Sequence, residues 1–313
     1  MHTPHLRYND YGSAMRRRMG GRVQKLAIDA HLGCPNRDGT IAHGGCTFCL
    51  DKAFSPAYKE QPSTITQQID SALHFHAARR RTADTYLAYF QTGTNTYASA
   101  DRLEEIYSEA LAHPAIKGII VGTRPDCITS EKLDLLEHLS HNRYVAIEYG
   151  IESTNDDTLR HINRHHTFVT AQRAIALTRE RGIDVGAHLI LGLPFDDHAH
   201  ILESILKINS LGINYIKFHQ LQIYRGTAIA TEWLDHPERF SFYNSLNAEI
   251  YADLLVDILR HLNSDIAVDR FVSTAPHNLV LHSPLGGIRP DTMRSMVIER
   301  LTTLNAQQGD ALR

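Results

Sequence analysis

The sequence of 313 residues lacks the features of a membrane or secreted protein. It has no apolar run near the roughly 20 residues that a membrane-spanning helix needs. Four arginines near its start, at positions 16, 17, 18 and 22, are not followed by an apolar stretch of signal-peptide length. It has only four cysteines, too few for a disulfide-rich secreted domain. We therefore expect a cytoplasmic protein with no membrane partner.

A strong net charge is also absent, because 32 lysines and arginines oppose 35 aspartates and glutamates. Such a chain is not a general binder of polyanions, so a contact with nucleic acid requires a local basic patch. No proline-rich linker or low-complexity segment divides the sequence. With 42% hydrophobic residues, the chain is long enough to bury a large core, as two domains or as one domain of α/β-barrel size.

Short β-rich runs alternate with longer helical patterns along most of the chain. The segment TSEKLDLLEHL, for example, has good N-cap residues ahead of leucines at helical spacing. Such alternation indicates βαβ units with parallel strands and right-handed crossovers. Six units are too few for an eight-fold barrel and fit either an open doubly wound sheet or an incomplete barrel. The strand candidates cover residues 23–29, 84–91, 116–122, 143–150, 184–191 and 214–222.

The alternation stops after the sixth strand candidate. Two helical patterns follow, at about residues 242–262 and 291–304, and no second segment has a core of its own. We expect these helices to cap or extend the barrel. The predicted organisation is a core of residues 1–225 with a C-terminal extension of residues 226–313 packed on it.

Three of the four cysteines lie close together in the segment CPNRDGTIAHGGCTFC, which runs from Cys34 through Cys46 to Cys49. The segment follows the first strand, at the carboxyl end where parallel α/β folds bind ligands. Its glycines favour a tight loop in which thiolates converge. The spacing alone allows free buried thiols, a zinc site with His31 or His43 as fourth ligand, or a [4Fe–4S] cluster with one iron left open.

The motifs, taken in order, resemble those of the radical S-adenosylmethionine (SAM) superfamily. The cysteine segment, TGTNTY, GTRPDC, ESTNDDTLRHINRHHT and LILGLPFDD are similar to motifs of its YhcC/YtqA-like branch, over about residues 7–225. The long first cysteine gap is similar to that of the Elongator catalytic subunit. The resemblance implies an α/β fold, an incomplete (β/α)6 TIM-like barrel of the radical SAM type with a C-terminal helical extension, and a cluster loop at residues 30–56.

The resemblance also implies the cofactors and the reaction. Cys34, Cys46 and Cys49 would bind a [4Fe–4S] cluster whose open iron binds SAM. A one-electron reductant of the flavodoxin or ferredoxin type would supply the electron that cleaves SAM and starts hydrogen abstraction. The protein would bind and orient the cofactors and exclude competing reactions. The remaining cysteine, Cys127, cannot hold a second cluster, and we expect it to be an inert packed thiol.

Seven residues near the carboxyl ends of the strands are candidates for SAM binding: Phe48, Thr94, Asn95, Thr96, Glu148, Glu152 and Gly192. The polar residues 94–96 would bond the methionine amino group, while the phenyl ring and the glycine would shape the adenine pocket. Glu148 and Glu152 would face the lumen, where a ribose diol is a suitable partner for a carboxylate. The alternatives are loop packing, an ordinary polar loop, a turn, and a charge network of the glutamates with Lys217 or an arginine.

Three residues are candidates for substrate binding or proton transfer: His188, Lys217 and His219. Alternation places them on the lumen faces of strands five and six, opposite apolar faces that pack on helices. Together they would bring a cation and two titratable rings near the reacting carbon. A structural network with Glu148, or histidines bonded to carbonyl groups, explains them equally well.

The Elongator resemblance implies a role in transfer RNA modification. Two arginine clusters, at residues 16–18 and 79–81, are candidates for phosphate contacts, although such clusters are usually solvated surface. Because this sequence leaves no room after the barrel for an acetyltransferase domain, we do not expect the Elongator reaction itself to carry over. The alternatives are a radical SAM enzyme acting on a small metabolite, and a non-enzymatic zinc protein that uses the same cysteines.

Overall fold

A curled parallel sheet forms the centre of the protein in the computed structural model, which describes residues 6–50 and 64–312. Its seven strands are hydrogen-bonded in the order β1-β2-β3-β4-β5-β6-β8, and every neighbouring pair is parallel. They are β1 (Val23–Ile28), β2 (Thr85–Phe90), β3 (Ile116–Thr123), β4 (Tyr144–Glu152), β5 (Asp184–Leu191), β6 (Tyr215–Gln220) and β8 (Ala267–Arg270). Lys25 on the first strand bonds Asp269 on the last at 2.8 Å, so the curl brings the two edges together.

Helices cover the outer face of the sheet. On this face β4 contributes Val145, Ile147 and Tyr149 to the main apolar core, whereas Ala146 lies on the inner face, as the period of two requires. The helices that connect the strands are α2 (Ile65–Ala78), α3 (Ala100–Ala112), α4 (Ser130–Ser140), α5 (Asp156–His161), α6 (Phe168–Glu180) and α7 (His198–Asn209). The predicted fold class, an incomplete barrel of the α/β type, is confirmed.

The N-terminal helix α1 (Tyr11–Met19) was not predicted and closes the inside of the sheet near the amino ends of the strands. Its Tyr11 and Met15 pack on inner-face residues such as Leu87 and Tyr215. Asp10 begins the helix by accepting a hydrogen bond from the Ser13 amide at 2.8 Å, and Gly20 ends it in the left-handed region. The lumen is therefore closed below and open at the carboxyl ends of the strands.

The C-terminal part supplies helices and also a strand. The pattern predicted as one helix over residues 242–262 is instead two helices, α9 (Ser241–Ser245) and α10 (Ala248–His261), because Asn247 is extended and caps the second helix. α10 packs against α7 and the last helix, α11 (Pro290–Thr303). The division at residue 225 stays a prediction, and β8, from beyond it, pairs with β6.

Smaller elements complete this part of the chain. A short helix, α8 (Ala228–Asp235), precedes α9, and a two-stranded antiparallel sheet joins β7 (Ile223–Tyr224) to β9 (Val280–His282). In the ranges that the structure describes, no helix is both long enough and apolar enough to cross a membrane. The cytoplasmic location stays a prediction.

Candidate active site

The cysteine loop lies between β1 and α2, at the carboxyl ends of the strands, and residues 51–56 of the predicted cluster loop lie outside the described residues. Cys46 is buried, and Cys34 and Cys49 are partly exposed. All three line one cavity of about 180 Å3. Within residues 6–50 and 64–312, no three histidine, cysteine or acidic side chains are grouped closely enough to hold a single metal ion. The loop thus brings three thiols to one cavity without arranging them around one ion.

Backbone hydrogen bonds fold the loop back on itself. The Arg37 amide donates to the Cys34 carbonyl at 2.9 Å, and the Cys49 amide donates to the Cys46 carbonyl at 3.0 Å. Between them, Gly45 has φ +81°, and a Cβ atom there would stand 2.9 Å from Nε of Arg37. Glycine avoids both the strain and the collision, so the chain returns tightly enough for Cys46 to reach the cavity.

A buried arginine, Arg164, faces the central thiol. Its Nη1 and the Nδ2 of Asn36 each lie 3.4 Å from the Cys46 sulfur, and its Nη2 donates to the Gly150 carbonyl at 2.6 Å. Although burial opposes its ionisation, Cys46 and Glu152 hold the pKa of Arg164 above its ordinary value. These N–H groups are suited to stabilising negative charge on a thiolate ligand.

Three buried polar atoms in the cavity wall have no partner in the described part of the chain, and one of them is Nε2 of His219. Arg124 binds Asp126 through Nε and Nη2, but its Nη1 has no hydrogen-bond acceptor. The hydroxyl of Thr92 is buried and unpaired as well. A buried unpaired donor is costly, so a ligand with acceptor oxygens is expected here. The three thiols and these donors fit a cluster together with the carboxylate of a bound amino acid.

The cavity contains part of the predicted SAM-binding set. Phe48, Thr94, Glu148 and Glu152 line it, and Phe48 and Glu152 also line a second lobe of about 110 Å3 that opens beside it. The two lobes share this wall, so they form one cleft over the carboxyl ends of the strands. Their assignment to SAM stays a prediction.

The other three predicted SAM-binding residues do not line the cleft. Asn95 donates to the Gly122 carbonyl at 2.8 Å, and Thr96 bonds the hydroxyl of Thr123 at 2.6 Å. Gly192 has φ +89° and lies against Tyr243. These contacts match the alternatives of an ordinary polar loop and a turn, and the geometry gives no support to SAM binding by these three residues.

Glu152 lies at a break in the sheet. The register between β4 and β5 shifts between Gly150 and Glu152, and Glu152 has φ +68°, which L-residues rarely adopt. Its Oε1 lies 3.4 Å from Nη2 of Arg164, and a Cβ atom at Gly150 would stand only 2.4 Å from that oxygen. The bulge therefore directs one carboxylate into the cleft and holds it against the arginine that faces Cys46.

Glu148 lies deeper and is fully buried. Its carboxylate accepts from Lys217 at 2.6 Å, Lys25 at 3.2 Å and Tyr215 at 3.1 Å, and it bonds His188 at 2.8 Å. Although burial opposes ionisation, Lys217 and then Lys25 hold the pKa of Glu148 well below its usual range. With its oxygens occupied by protein donors, Glu148 matches the charge-network alternative better than ribose binding, which stays untested.

The three predicted catalytic residues do not share one cavity. His188 and His219 line the cleft, with ring centroids 5.2 Å apart, whereas Lys217 lies beneath them and bonds Glu148 and Tyr89. The Nε2 of His219 is buried and has no partner among the described residues. Burial lowers the pKa of His219 well below its usual range, and it lowers that of Lys217 to about 8. A neutral His219 thus offers an unused ring nitrogen to a ligand.

Sequence reasoning missed the four arginines of the cleft: Arg37, Arg124, Arg164 and Arg270. Arg124, in the motif GTRPDC, directly follows β3, and an arginine at a strand end was an available signal. Arg164, in HINRHHT, follows a helix and had no such signal. Arg270 had none, because its strand of four residues carries no recognisable alternation. Together these arginines add positive charge to the wall of the cleft that the thiols line.

Comparison with known proteins agrees with this architecture. The family model described as "Radical SAM superfamily" matches residues 33–208, and that of the "Radical_SAM C-terminal domain" matches residues 213–303. Protein YhcC of Escherichia coli is 36% identical over 278 residues, which cover 88% of this chain and 86% of YhcC. The uncharacterized protein YtqA of Bacillus subtilis is 31% identical over 304 residues, which cover 97% of this chain and 92% of YtqA.

A solved structure has a similar fold. The Elp3 protein of the archaeon Methanocaldococcus infernus superposes with a TM-score of 0.67 at 14% identity, over 91% of this chain and 64% of that one. At this identity the match shows a shared fold. It agrees with the parallel, partly closed barrel described above.

Proposed function

Since the chain belongs to the radical SAM superfamily, we propose that it cleaves SAM reductively in the cysteine-lined cleft to start hydrogen abstraction in transfer RNA. The superfamily's enzymes use a [4Fe–4S] cluster and SAM, and this removes the zinc-protein alternative. The choice of transfer RNA as the substrate, and not a small metabolite, is the more specific part of the proposal.

Each part of the cofactor pair has suitable groups in the cleft. Cys34, Cys46 and Cys49 would hold the cluster, which when bound supplies the electron that breaks the carbon–sulfur bond of SAM. The free Nη1 of Arg124 would orient the methionine carboxylate, and Glu152 would accept from the ribose hydroxyls. These side chains would fix the position of the reacting carbon and keep water from it.

Glu152→Gln is expected to weaken SAM binding by about tenfold to a hundredfold while the iron content stays unchanged. The reason is that a carboxylate loses its charge-assisted bonds to ribose, each of which contributes roughly 1.5–3 kcal/mol. Equilibrium binding of SAM to the anaerobic protein measures the effect, with the exposed Glu105→Gln as control. Unchanged affinity in Glu152→Gln would remove this residue from the SAM site.

The observation that carries the RNA proposal is the convergence of the two arginine clusters. Arg16, Arg17 and Arg22 line one shallow depression at the amino ends of the strands. Arg79 and Arg81 shortly precede Asp84, which lines the same depression and accepts from the Arg22 amide at 2.7 Å. All five arginines are exposed. We call this the arginine surface.

The arginine surface and the cysteine loop lie at opposite ends of the strands. A strand of six residues separates them by about 20 Å. This surface would therefore hold the body of the RNA through phosphates, and the reacting base would reach the cleft elsewhere on the molecule. A flavodoxin- or ferredoxin-type reductant must approach the cysteine end, since electron transfer to the cluster requires proximity.

The double variant Arg16→Gln/Arg17→Gln is expected to weaken transfer RNA binding and to lower its salt dependence. Each lost phosphate contact reduces the slope of log K against log salt by about one, so the slope should fall by about two. Filter binding over a series of salt concentrations measures it. The matched control is Arg173→Gln/Arg289→Gln, which removes the same charge from exposed positions elsewhere. Equal slopes in the two variants would contradict RNA docking on this surface.

A further inference from the structure

A separate chamber opens at the side of the barrel, where the sheet edges β1 and β8 meet. It has a volume of about 480 Å3 and lies between α1, α2 and the two edge strands. This size is typical of pockets that enclose a small molecule. No part of the proposed SAM chemistry uses it.

The chamber wall carries more positive than negative charge. Lys25 and Lys217 share two carboxylates, the buried Glu148 and the half-buried Asp269: Lys25 lies 2.8 Å from Asp269 and 3.2 Å from Glu148, and Lys217 lies 2.6 Å from Glu148 and 3.5 Å from Asp269. Arg270 adds a third cation to the same wall. Two carboxylates therefore balance the two lysines, and the guanidinium is in excess.

Arg270 is the cation without a partner. Its side chain is exposed and makes no hydrogen bond or ion pair with the part of the chain that the structure describes. Its positive charge adds to the effect of burial in lowering the pKa of Lys217 to about 8. A planar guanidinium at the end of a strand, beside the chamber, presents paired donors of the kind that bind carboxylate or phosphate oxygens.

The chamber and the cysteine-lined cleft share a wall. Tyr89, Gln91 and Arg270 line both spaces. A ligand held by Arg270 therefore lies next to the cleft that contains His188 and His219. On the chamber side, the rings of Tyr11 and Tyr89 add aromatic surface, with Lys25 4.1 Å from the first ring centroid and Lys217 4.3 Å from the second.

We propose that the side chamber binds a small molecule bearing a carboxylate or phosphate group, with this anionic group on Arg270 and its body beside the rings of Tyr11 and Tyr89. The proposal rests on the proposed function only in treating the neighbouring cleft as the place of reaction.

The test measures binding of inorganic phosphate and of malonate to the full chain, purified anaerobically and free of SAM and reductant. The two probes distinguish a phosphate site from a carboxylate site. In Arg270→Gln, the dissociation constant of the preferred anion should rise at least tenfold. Arg173→Gln, which loses the same charge at an exposed position outside the arginine surface, should bind it like the wild type. The nuclear magnetic resonance signals of His76, which lines the chamber, should shift as the wild type saturates.

Several results would overturn the proposal: neither anion binds, Arg270→Gln binds as tightly as the wild type, or both variants weaken equally. Competition by a short oligonucleotide that depends on Arg270 would assign the chamber to RNA and also refute a small-molecule site. The assay measures anion binding without SAM or reductant. Failure to bind an anion therefore says nothing about SAM cleavage, and absence of SAM cleavage says nothing about anion binding. Because Arg270 is exposed, the variant should fold, and its circular dichroism spectrum checks this.

Discussion

Replacement of Cys34, Cys46 or Cys49 by alanine is expected to abolish the iron–sulfur cluster, whereas Cys127→Ala should keep it. The first three thiols line the cleft, and a cluster short of another ligand is not held. Cys127 is buried but is not part of the cavity wall, and its sulfur faces Asp126 at 3.9 Å. Iron and sulfide analysis should give about four of each per chain for wild type and Cys127→Ala, and nearly none for the others.

Cys127→Ala is the matched control for this series, because it removes one thiol from the same region of the fold. Loss of the cluster in Cys127→Ala, together with its retention in Cys34→Ala, would show that the ligands have been assigned wrongly. Retention in all four variants would mean that no cysteine of the loop is required.

The largest effect on stability is expected for Glu148→Ala, which should lose about 3–5 kcal/mol of unfolding free energy. The substitution removes one of the two carboxylates that Lys217 and Lys25 share and leaves Asp269 alone to pair with both lysines. Chemical denaturation measures the loss. Glu105→Ala, in an exposed ion pair with Arg102, is the control and should stay close to the wild type. Equal stability of the two variants would show that the network does not support the fold.

The same carboxylate should make stability depend on pH in acid. Although burial opposes ionisation, Lys217 and Lys25 hold the folded-state pKa of Glu148 well below its unfolded value. The stabilisation is therefore complete above the unfolded pKa of about 4.3 and is lost as pH falls through the lower, folded value. Glu148→Gln should lose less unfolding free energy as the pH falls, because it lacks this titrating carboxylate. Parallel decline of both proteins from pH 7 to pH 3 would exclude Glu148 as the cause.

The inner and outer faces of the central strands were predictable because their pattern is strict. On β5, Val185, Ala187 and Leu189 pack in the outer core while His188 faces the lumen. A period of two, with one wholly apolar face, leaves a single orientation for such a strand. No strand was predicted at β8, because its four residues, AVDR, are too few to show an alternating pattern.

Long-range charge pairing explains why the site was only partly predictable. The position of the cysteines follows from local order, a loop directly after a strand. The contact of Arg164 with Cys46 joins residues 118 positions apart, and that of Lys25 with Asp269 joins residues 244 positions apart. Such pairs depend on how far the sheet curls, which no local pattern encodes. The same curl moves Lys217 below the histidines instead of beside them.

The measurement that tests the central claim most directly is the formation of 5′-deoxyadenosine from SAM. The reconstituted wild-type chain is incubated with SAM and reduced flavodoxin without oxygen, next to Cys34→Ala. The wild type is predicted to form 5′-deoxyadenosine and methionine in equal amounts, slowly in the absence of substrate, and the variant to form neither. A wild-type protein that carries the cluster and binds SAM but forms no 5′-deoxyadenosine would contradict the assignment, as would a variant that forms as much as the wild type.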